Sequence, residues 1–505
     1  MIFPSINSKI ILFFLIISSA LIILSIILII QIFPSVIRNE IYKNVQLVEG
    51  SEQYERFLEL PFPVTFKVYF FNVENSVDVV NGEKPVLKEV GPYIYKQYRK
   101  KTVLYTDEKE DTVSYTQTEN FEFDNEASGN FSDEDYVTML NAPMMSILQI
   151  AEKYGQTSVL SSCLSDIFPE FDSVFVKVKV KDILFDGIRF CVRHFSLCEL
   201  RRTIACKIAE RKKNVDILTD GALQFSFFNY KVNSNDGLYT IKRGINDVKT
   251  LGQIVRLNNS TRTHYWKQSN ANSSCDEVKG TDSTLYPPQI SKDSIFQIYS
   301  TDICRYIEIQ FLKEEFYKGV KGYTFATNNL TLRASTTLKE EDCFCTEQTK
   351  GVNGEDTCFL DGVIDMQPCT GVPVLLSFPH FLWADEFYSE GVIGLNSNEE
   401  NHRTFLKVEP ETGTPLQGMK RIQINSVLRP INKIKQTEKL PRVVLPLLWI
   451  EEGVSLTNKY VKKLEDMYFN KVTLLNILKW TLLAGSIIIT SCLGAYLIYK
   501  RVNKM

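Results

Sequence analysis

Eleven cysteines, four histidines and a group of Asn-x-Ser/Thr tripeptides are the residues of this chain with chemistry to offer. Ten of the cysteines lie between two apolar terminal segments: Cys163, Cys191, Cys198, Cys206, Cys275, Cys304, Cys343, Cys345, Cys358 and Cys369. Only Cys492 stands inside an apolar segment, where a plain buried thiol is expected rather than a palmitoylated one. An even number of cysteines in such a region predicts disulfides in an oxidising compartment. The alternative is a zinc site around Cys343-Phe344-Cys345, a poor fit to oxidising surroundings. Glycosylation acceptors at Asn130, Asn258, Asn259, Asn272 and Asn329 point to the same compartment, with the adjacent Asn258 and Asn259 expected to share one glycan. The histidines are His194, His264, His380 and His402. No Gly-x-Ser-x-Gly elbow, His-Glu-x-x-His pair or phosphate-cradling glycine loop accompanies them. Glu451 and Glu452 are adjacent, so on a strand they point apart. These residues predict a binding protein and no enzyme, with no metal and no cofactor.

The elements that position this chemistry begin at the ends. Ile10 to Ile30 carries no charge, proline or glycine, and as a helix it reaches about 31 Å, the thickness of a bilayer core. Trp480 to Tyr499 is a second uncharged run, with Lys479 placed to snorkel beside Trp480. A cleaved signal peptide is the alternative for the first segment, but its apolar run is too long and no small-residue cleavage site comes after it. Lys9 precedes the first span and Lys500, Arg501 and Lys504 follow the second, with no acid in either tail. The positive-inside rule therefore places both termini in the cytoplasm of a two-pass cell-membrane protein. The expected division is a tail over 1–9, a span over 10–30, an outer domain over 31–478, a span over 479–499 and a tail over 500–505. Neither tail is long enough for a folded module, and the second lacks a lysosomal sorting signal, which favours the cell surface.

With 57 basic and 60 acidic residues, and four of the basic ones in the tails, the outer domain is acidic and offers no face for nucleic acid. Strands dominate it. Val174, Val176, Val178 and Val180 alternate with Phe175, Lys177, Lys179 and Lys181, and Val64–Asn72 and Tyr93–Tyr105 look similar. Asn81-Gly82 and Asp236-Gly237 are expected hairpin turns. Helical spacing concentrates over about 140–213. There Asn141 is a candidate cap and Leu140, Met144, Ile147, Leu148 and Ala151 share a face. Leu160, Cys163, Leu164 and Ile167 repeat the spacing. Leu197, Leu200, Ile204 and Ile208 do so opposite a basic face of Arg201, Arg202, Arg211, Lys212 and Lys213, so a bundle with a solvated charged side is predicted.

Several segments carry a resemblance: FNVENSVDVVNGEKPVLKEVGPYIY from Phe71 to Tyr95, KGTDSTLYPP from Lys279 to Pro288, and STDICR from Ser300 to Arg305. SFPHFLWAD (Ser377 to Asp385), GLNSNEENH (Gly394 to His402) and VEPETGTPL (Val408 to Leu416) come next in order. In this order between two spans, the chain resembles the class B scavenger receptors, the family of the fatty acid translocase. VFVKVKVKDILFDG (Val174 to Gly187), YTIKRGINDVKTLGQI (Tyr239 to Ile254) and LLWIEEGVSL (Leu447 to Leu456) look most like the insect sensory neuron membrane proteins. The cysteine-containing insertion between Phe190 and Cys206 looks like the second type of that branch.

The resemblance implies an α+β fold: a large antiparallel β-barrel with a helical-bundle apex and an internal lipid tunnel, flanked by two transmembrane helices. It also implies disulfides Cys275–Cys343, Cys304–Cys369 and Cys345–Cys358. It leaves Cys163, Cys191, Cys198 and Cys206 to form two further bridges in any of three pairings. An apolar tunnel would spare an acyl chain about 0.8 kcal/mol per methylene otherwise exposed to water. With the entrance at the apex, the adaptable side chains Met144 and Met145, with Leu148, are the candidate contacts, against the alternative that they simply pack the bundle. One departure stands out: Pro169, Glu170, Phe171 and Asp172 occupy the stretch where the fatty acid translocase carries lysines, which argues against anionic lipoprotein cargo. The implied function is capture of long-chain, fatty-acid-derived odorants or pheromones and their passage to the membrane or an odorant receptor, or their clearance. Partners would be such lipids, the bilayer, and an odorant receptor or odorant-binding protein. The alternatives are general scavenging and fatty-acid uptake, or a protein-binding adhesion or cargo receptor using the apex.

Overall fold

A computed structural model describes residues 8–192, 198–266, 274–334, 337 and 339–502. The chain divides into two compact units. The smaller holds both termini. In it the helix Ser8–Ile27 runs through a wide turn at Leu28–Ile32 into the helix Phe33–Val45. The segments Leu12–Val45 and Asn458–Tyr499 are each long and apolar enough to cross a membrane. Within this unit the two helical segments pack along one another, and Lys471 pairs with Glu40 at 3.3 Å.

The larger unit is built on sheet. Its first strands are β1 (Val64–Val73), β2 (Leu87–Asp107), β3 (Thr112–Phe123), β4 (Tyr136–Leu140), β5 (Phe175–Lys179), β6 (Ile188–Phe190), β7 (Val215–Ile217) and β8 (Leu223–Phe225). Then come β9 (Asn235–Lys242), β10 (Ile254–Leu257), β11 (Ile295–Ser300), β12 (Arg305–Tyr317) and β13 (Val320–Ala326). The last are β14 (Val363–Asp365), β15 (Leu375–Ser377), β16 (Phe405–Val408), β17 (Pro415–Leu428) and β18 (Val443–Ser455). Thirteen of them form one sheet in the order β10-β9-β3-β2-β1-β18-β17-β16-β13-β12-β11, with β15 added to β17 and β14 to β15. Its named ladders are antiparallel, as the alternating strand sequences require.

This is the large antiparallel sheet of a mixed α and β fold. No ladder joins the edge strands β10 and β11 among the described residues. A short segment connects them instead: Ile254 N–H donates to Gly280 O (2.7 Å), Thr281 N–H to Gln297 O (2.9 Å) and Tyr299 N–H to Thr281 O (3.0 Å). Glycine is required there, because Gly280 has φ +93° and a Cβ would lie 2.1 Å from Gln297 O. The sheet therefore curls until its two edges share this strip. Asp236-Gly237 lies within β9 and makes no hairpin turn, because β9 pairs with β3, far away in sequence. Val174, Val176, Val178 and Val180 are all buried, as the alternation predicts, and Phe175 on the opposite side of the strand is buried as well.

Helices gather between β4 and β7. They are Ala142–Lys153, Thr157–Ser161, Leu164–Ile167 and Glu199–Ala209, and they pack onto the same apolar core as β1, β2 and β18.

Candidate functional site

The helix Ala142–Lys153 is fixed at its start by Asn141, whose side chain accepts from Met144 N–H at 3.2 Å. The Asn141 amide also donates to Phe171 O (2.9 Å) and Ser173 O (3.1 Å), so the cap ties the helix to the chain entering β5. Further along, Gln149 donates to Val427 O at 2.9 Å and Glu152 pairs with Arg429. Apolar residues occur on two sides of this helix. Met144, Met145 and Leu148 are fully buried in the core, which is the packing expected of them as the alternative to ligand contact. Pro143, Ile147, Ile150 and Ala151 turn the other way and form one wall of a cavity of about 200 Å³, which the two methionines and Leu148 do not line.

The opposite wall is the helix Glu199–Ala209, through Ile204, Ala205, Ile208 and Ala209. Leu160, Phe190, Val215 and Phe225, with Val159 and Val372, extend the lining, which is almost wholly apolar. An engineered cavity of about 150 Å³ holds a benzene ring, so this space suits a substantial apolar group. Ile204 is 56% exposed and Tyr154 69%, so the cavity opens to solvent between apolar rims. Ser146, Gln156, Asn214 and Lys212 supply its polar atoms. Lys212 Nζ donates to Gly371 O at 2.5 Å, and burial holds its pKa below the usual lysine value.

The helix Glu199–Ala209 faces the reverse of its expected way. Leu200, Ile204 and Ile208 are exposed, while Arg202 is buried with its guanidinium donating to Val192 O at 3.1 Å. Two disulfides dictate this orientation. Cys191–Cys206 pulls the Cys206 side of the helix onto the end of β6, and Cys163–Cys198 ties down its start. A helix held by Cys206 must present the opposite face, with Ile204 and Ile208, to the cavity and solvent. Leu197 and His194 lie outside the described residues, as does the Arg201 side chain.

A pocket of this kind above a curled sheet, with two spanning helices, leads to comparison with known proteins. The CD36 family model matches residues 16–497. The chain belongs to the CD36 family. Sensory neuron membrane protein 2 of Drosophila melanogaster is 32% identical over 93% of this chain and 94% of its own length. The Anopheles gambiae protein of that name is 31% identical over 93% and 90%. Sensory neuron membrane protein 1 of Pediculus humanus subsp. corporis is 32% identical over 94% and 89%. Family membership and the two apolar helices make the chain a two-pass membrane protein of the lipid-receptor class.

In this CD36-family chain the structure also joins Cys275 to Cys343, Cys304 to Cys369 and Cys345 to Cys358. Cys345 and Cys358 are therefore spent on each other, although Glu347 lies beside them in a ligand-like cluster. Cys492 bonds no cysteine. Asn130, Asn258, Asn259 and Asn329 are exposed, and Asn272 lies outside the described residues. The Asn258 side chain accepts from Leu238 N–H at 2.9 Å, which leaves its neighbour Asn259 the better placed for a glycan.

His380 and His402 stack with ring centroids 4.4 Å apart. His380 Nδ1 accepts from Asn396 N–H (3.0 Å), so Nε2 carries the proton and donates to Glu89 Oε2 (2.5 Å), which also accepts from Trp449 Nε1 (2.8 Å). Burial alone would raise the Glu89 carboxyl, but these hydrogen bonds hold it below its usual range. Burial, and then the neighbouring His380, push His402 down to about 4. Packing and hydrogen bonding account for both rings. His264 is exposed and distant from this pair in sequence. Glu170 is exposed, while Phe171 packs against the core, so the Pro169–Asp172 stretch brings no cation to the cavity.

Proposed function

We propose that this chain is a cell-surface receptor that captures long-chain, fatty-acid-derived ligands in the apical cavity. Odorants or pheromones are the ligand class suggested by the sensory neuron membrane proteins it is similar to. From the cavity they pass to the membrane or an odorant receptor, or are cleared. The observation that carries this reading is the apolar cavity between the helices Ala142–Lys153 and Glu199–Ala209, with exposed isoleucines at its mouth. Such a surface is worth leaving in water only if something apolar covers it. Binding and release suffice; no bond is made or broken. The tail charges support cytoplasmic termini, an outer domain over 31–478, and glycans at Asn130, Asn259 and Asn329.

Leu200 favours a second reading. It is 75% exposed on the same helix yet stands outside the cavity lining, so an adhesion or cargo protein could dock there.

Native lipid mass spectrometry on the purified protein, with displacement of a fluorescent fatty acid, tests the first reading. Acyl lipids should co-purify and be displaced by long-chain aldehydes, acetates or acids. Ala205→Trp, which fills the cavity, should abolish uptake. A folded protein that takes up no lipid sinks the capture reading and leaves the protein-docking one.

A further inference from the structure

The inner face of the curled sheet changes character along its length. From the cavity wall an aromatic run leads inward: Phe225 to Phe227 (5.3 Å between ring centroids), Phe227 to Phe228 (6.1 Å), Phe228 to Phe66 (5.3 Å) and Phe66 to Phe121 (5.1 Å). Phe185 and Tyr95 pack beside them. Strand register dictates the next row of side chains. Phe66 sits opposite Glu452 on β18 and Tyr95 on β2, and Lys420 on β17 sits opposite Glu452. Tyr95, Gln97 and Arg99 alternate onto one face of β2, across from Phe123, Phe121 and Glu119 of β3. The aromatic rows therefore give way, one step along the strands, to a row of charges on the same face.

Those charges form an unbroken chain. Glu119 meets Arg99 at 3.4 Å, Arg99 pairs with Glu452, and Glu452 meets Lys420 at 3.4 Å. Lys420 pairs with Asp302, which pairs in turn with Lys231. Three cations thus balance three anions. Asp302 comes from the turn after β11, and its neighbour Thr301 donates to Asp236 on β9 at 2.8 Å. Because β9 and β11 belong to opposite ends of the sheet path, the chain of charges reaches around the inside of the curl. The six side chains keep between 11% and 28% of their surface, so they border a space and are not sealed in solid packing. Behind them lies a second polar tier, where Lys101 pairs with Asp282 at 2.6 Å and Tyr115 donates to Asp282 at 2.5 Å.

An acyl chain moving inward from the cavity would leave aromatic rings and meet a collar of fixed charge. Its methylenes would then face a polar surface and lose the gain of apolar burial. We infer that Arg99, Glu119, Lys231, Asp302, Lys420 and Glu452 form a gate across the lumen, which retains an apolar ligand in the apical cavity and limits its onward passage. The gate rests on the apical-capture reading. Its closed state is charged, its members are far apart in sequence, and it parts only when neighbouring strands or the Ser300–Arg305 turn shift.

The test uses the full chain reconstituted in phospholipid vesicles, with an NBD-labelled long-chain fatty acid as probe. Two quantities are read: equilibrium binding, and the rate at which probe reaches the bilayer above the background of Ala205→Trp. Arg99→Met with Glu452→Met removes one cation and one anion from the chain of charges, which keeps it neutral, and Glu119 retains the amide donors of Gln97 and Gln117. Binding should stay at the wild-type level while delivery rises about tenfold. Delivery at the wild-type rate with unchanged binding would overturn the gate, as would loss of binding in the folded variant, which would make the collar part of the ligand site. Should that pair fail to fold, Lys231→Met with Asp302→Leu opens the other end of the chain of charges and is read identically. If Ala205→Trp binds probe like the wild type, the capture reading fails, whatever the collar does.

Discussion

The apex and the interior of the sheet invert the usual rule of inside and outside. At the apex, Leu200, Ile204, Ile208 and Tyr154 stand in solvent around an apolar cavity. Inside the sheet, Arg99, Lys231, Lys420, Glu119, Asp302 and Glu452 are drawn largely out of it. Soluble domains seldom accept either arrangement without a reason. The contrast teaches that the two regions carry opposite kinds of energetic cost. Exposed apolar surface at the apex costs little in folding and is available to a ligand. Buried charge in the sheet is costly unless every member is paired, and there each one is.

The largest expected effect breaks the sheet side of this contrast. Glu452→Ala leaves Arg99 and Lys420 short of their shared anion, and thermal or chemical denaturation should show a loss of about 3–5 kcal/mol. Ligand binding by the protein that remains folded should be unaltered. An equal loss of binding would mean that the two regions are one site.

Next in size is the apical disulfide Cys191–Cys206, which closes a loop with a sequence separation of 15. Replacing both cysteines with alanine should cost about 3 kcal/mol by the chain-entropy account. Because that bond sets the face shown by the helix Glu199–Ala209, ligand binding should fall with it. The same comparison at Cys345–Cys358, with a separation of 13, should lower stability similarly and leave binding intact.

Titration sharpens the comparison further. In Glu452, burial pushes the carboxyl up, but Arg99, Lys420 and Lys231 more than offset it and bring it to about 2. In Asp282, burial is likewise outweighed by Lys101, again to about 2. A carboxyl held low in the folded state stabilises it above the unfolded value and loses that stability as pH falls through the folded value. The sheet's charges should therefore give a flat stability between pH 8 and 5, with loss only below about 4.5. His402 acts in a different window. Its folded value of about 4 lies under the usual 6.5, so the unfolded chain takes up the proton first and stability declines as pH drops from 6.5 toward 4. Melting curves of His402→Gln should lack that decline while keeping the one at lower pH.

Ile204→Ser should give the smallest change in stability, within about 0.5 kcal/mol, because the side chain is more than half exposed. Removing an apolar contact from the cavity mouth should nonetheless weaken ligand binding by about 1 kcal/mol, roughly fivefold, in a displacement assay. Stability lost without affinity would show that Ile204 packs the fold and serves no ligand.

Much of this was legible from local patterns. The valine alternation of Val174–Val180 placed a strand with those valines inside, and Asn141 placed the start of a helix. The two uncharged terminal runs appear in helices able to cross a membrane, and the ordered segments from Phe71 to Leu416 pointed to the family that the comparisons show. Local pattern failed wherever two faces of one element were both apolar. In the helix Ala142–Lys153 the pattern left the methionines open between ligand contact and packing; they are buried, and the cavity takes Pro143, Ile147 and Ile150 from the other side. In Glu199–Ala209 the stripe of Leu200, Ile204 and Ile208 looked like core and is exposed.

The sequence by itself determined the two apolar terminal helices, the strand-rich stretch between them, the cap at Asn141 and the family, because each depends on residues close together or on an ordered set of motifs. Tertiary structure alone decided the pairing of Cys163 with Cys198 and Cys191 with Cys206, and through it the face that meets the cavity. It also decided the charged collar, whose members run from Arg99 to Glu452. Periodicity states that a segment has a buried face but not what lies against it. Only the register of strands distant in sequence brings two lysines, an arginine and three carboxylates to the same level of one curled sheet.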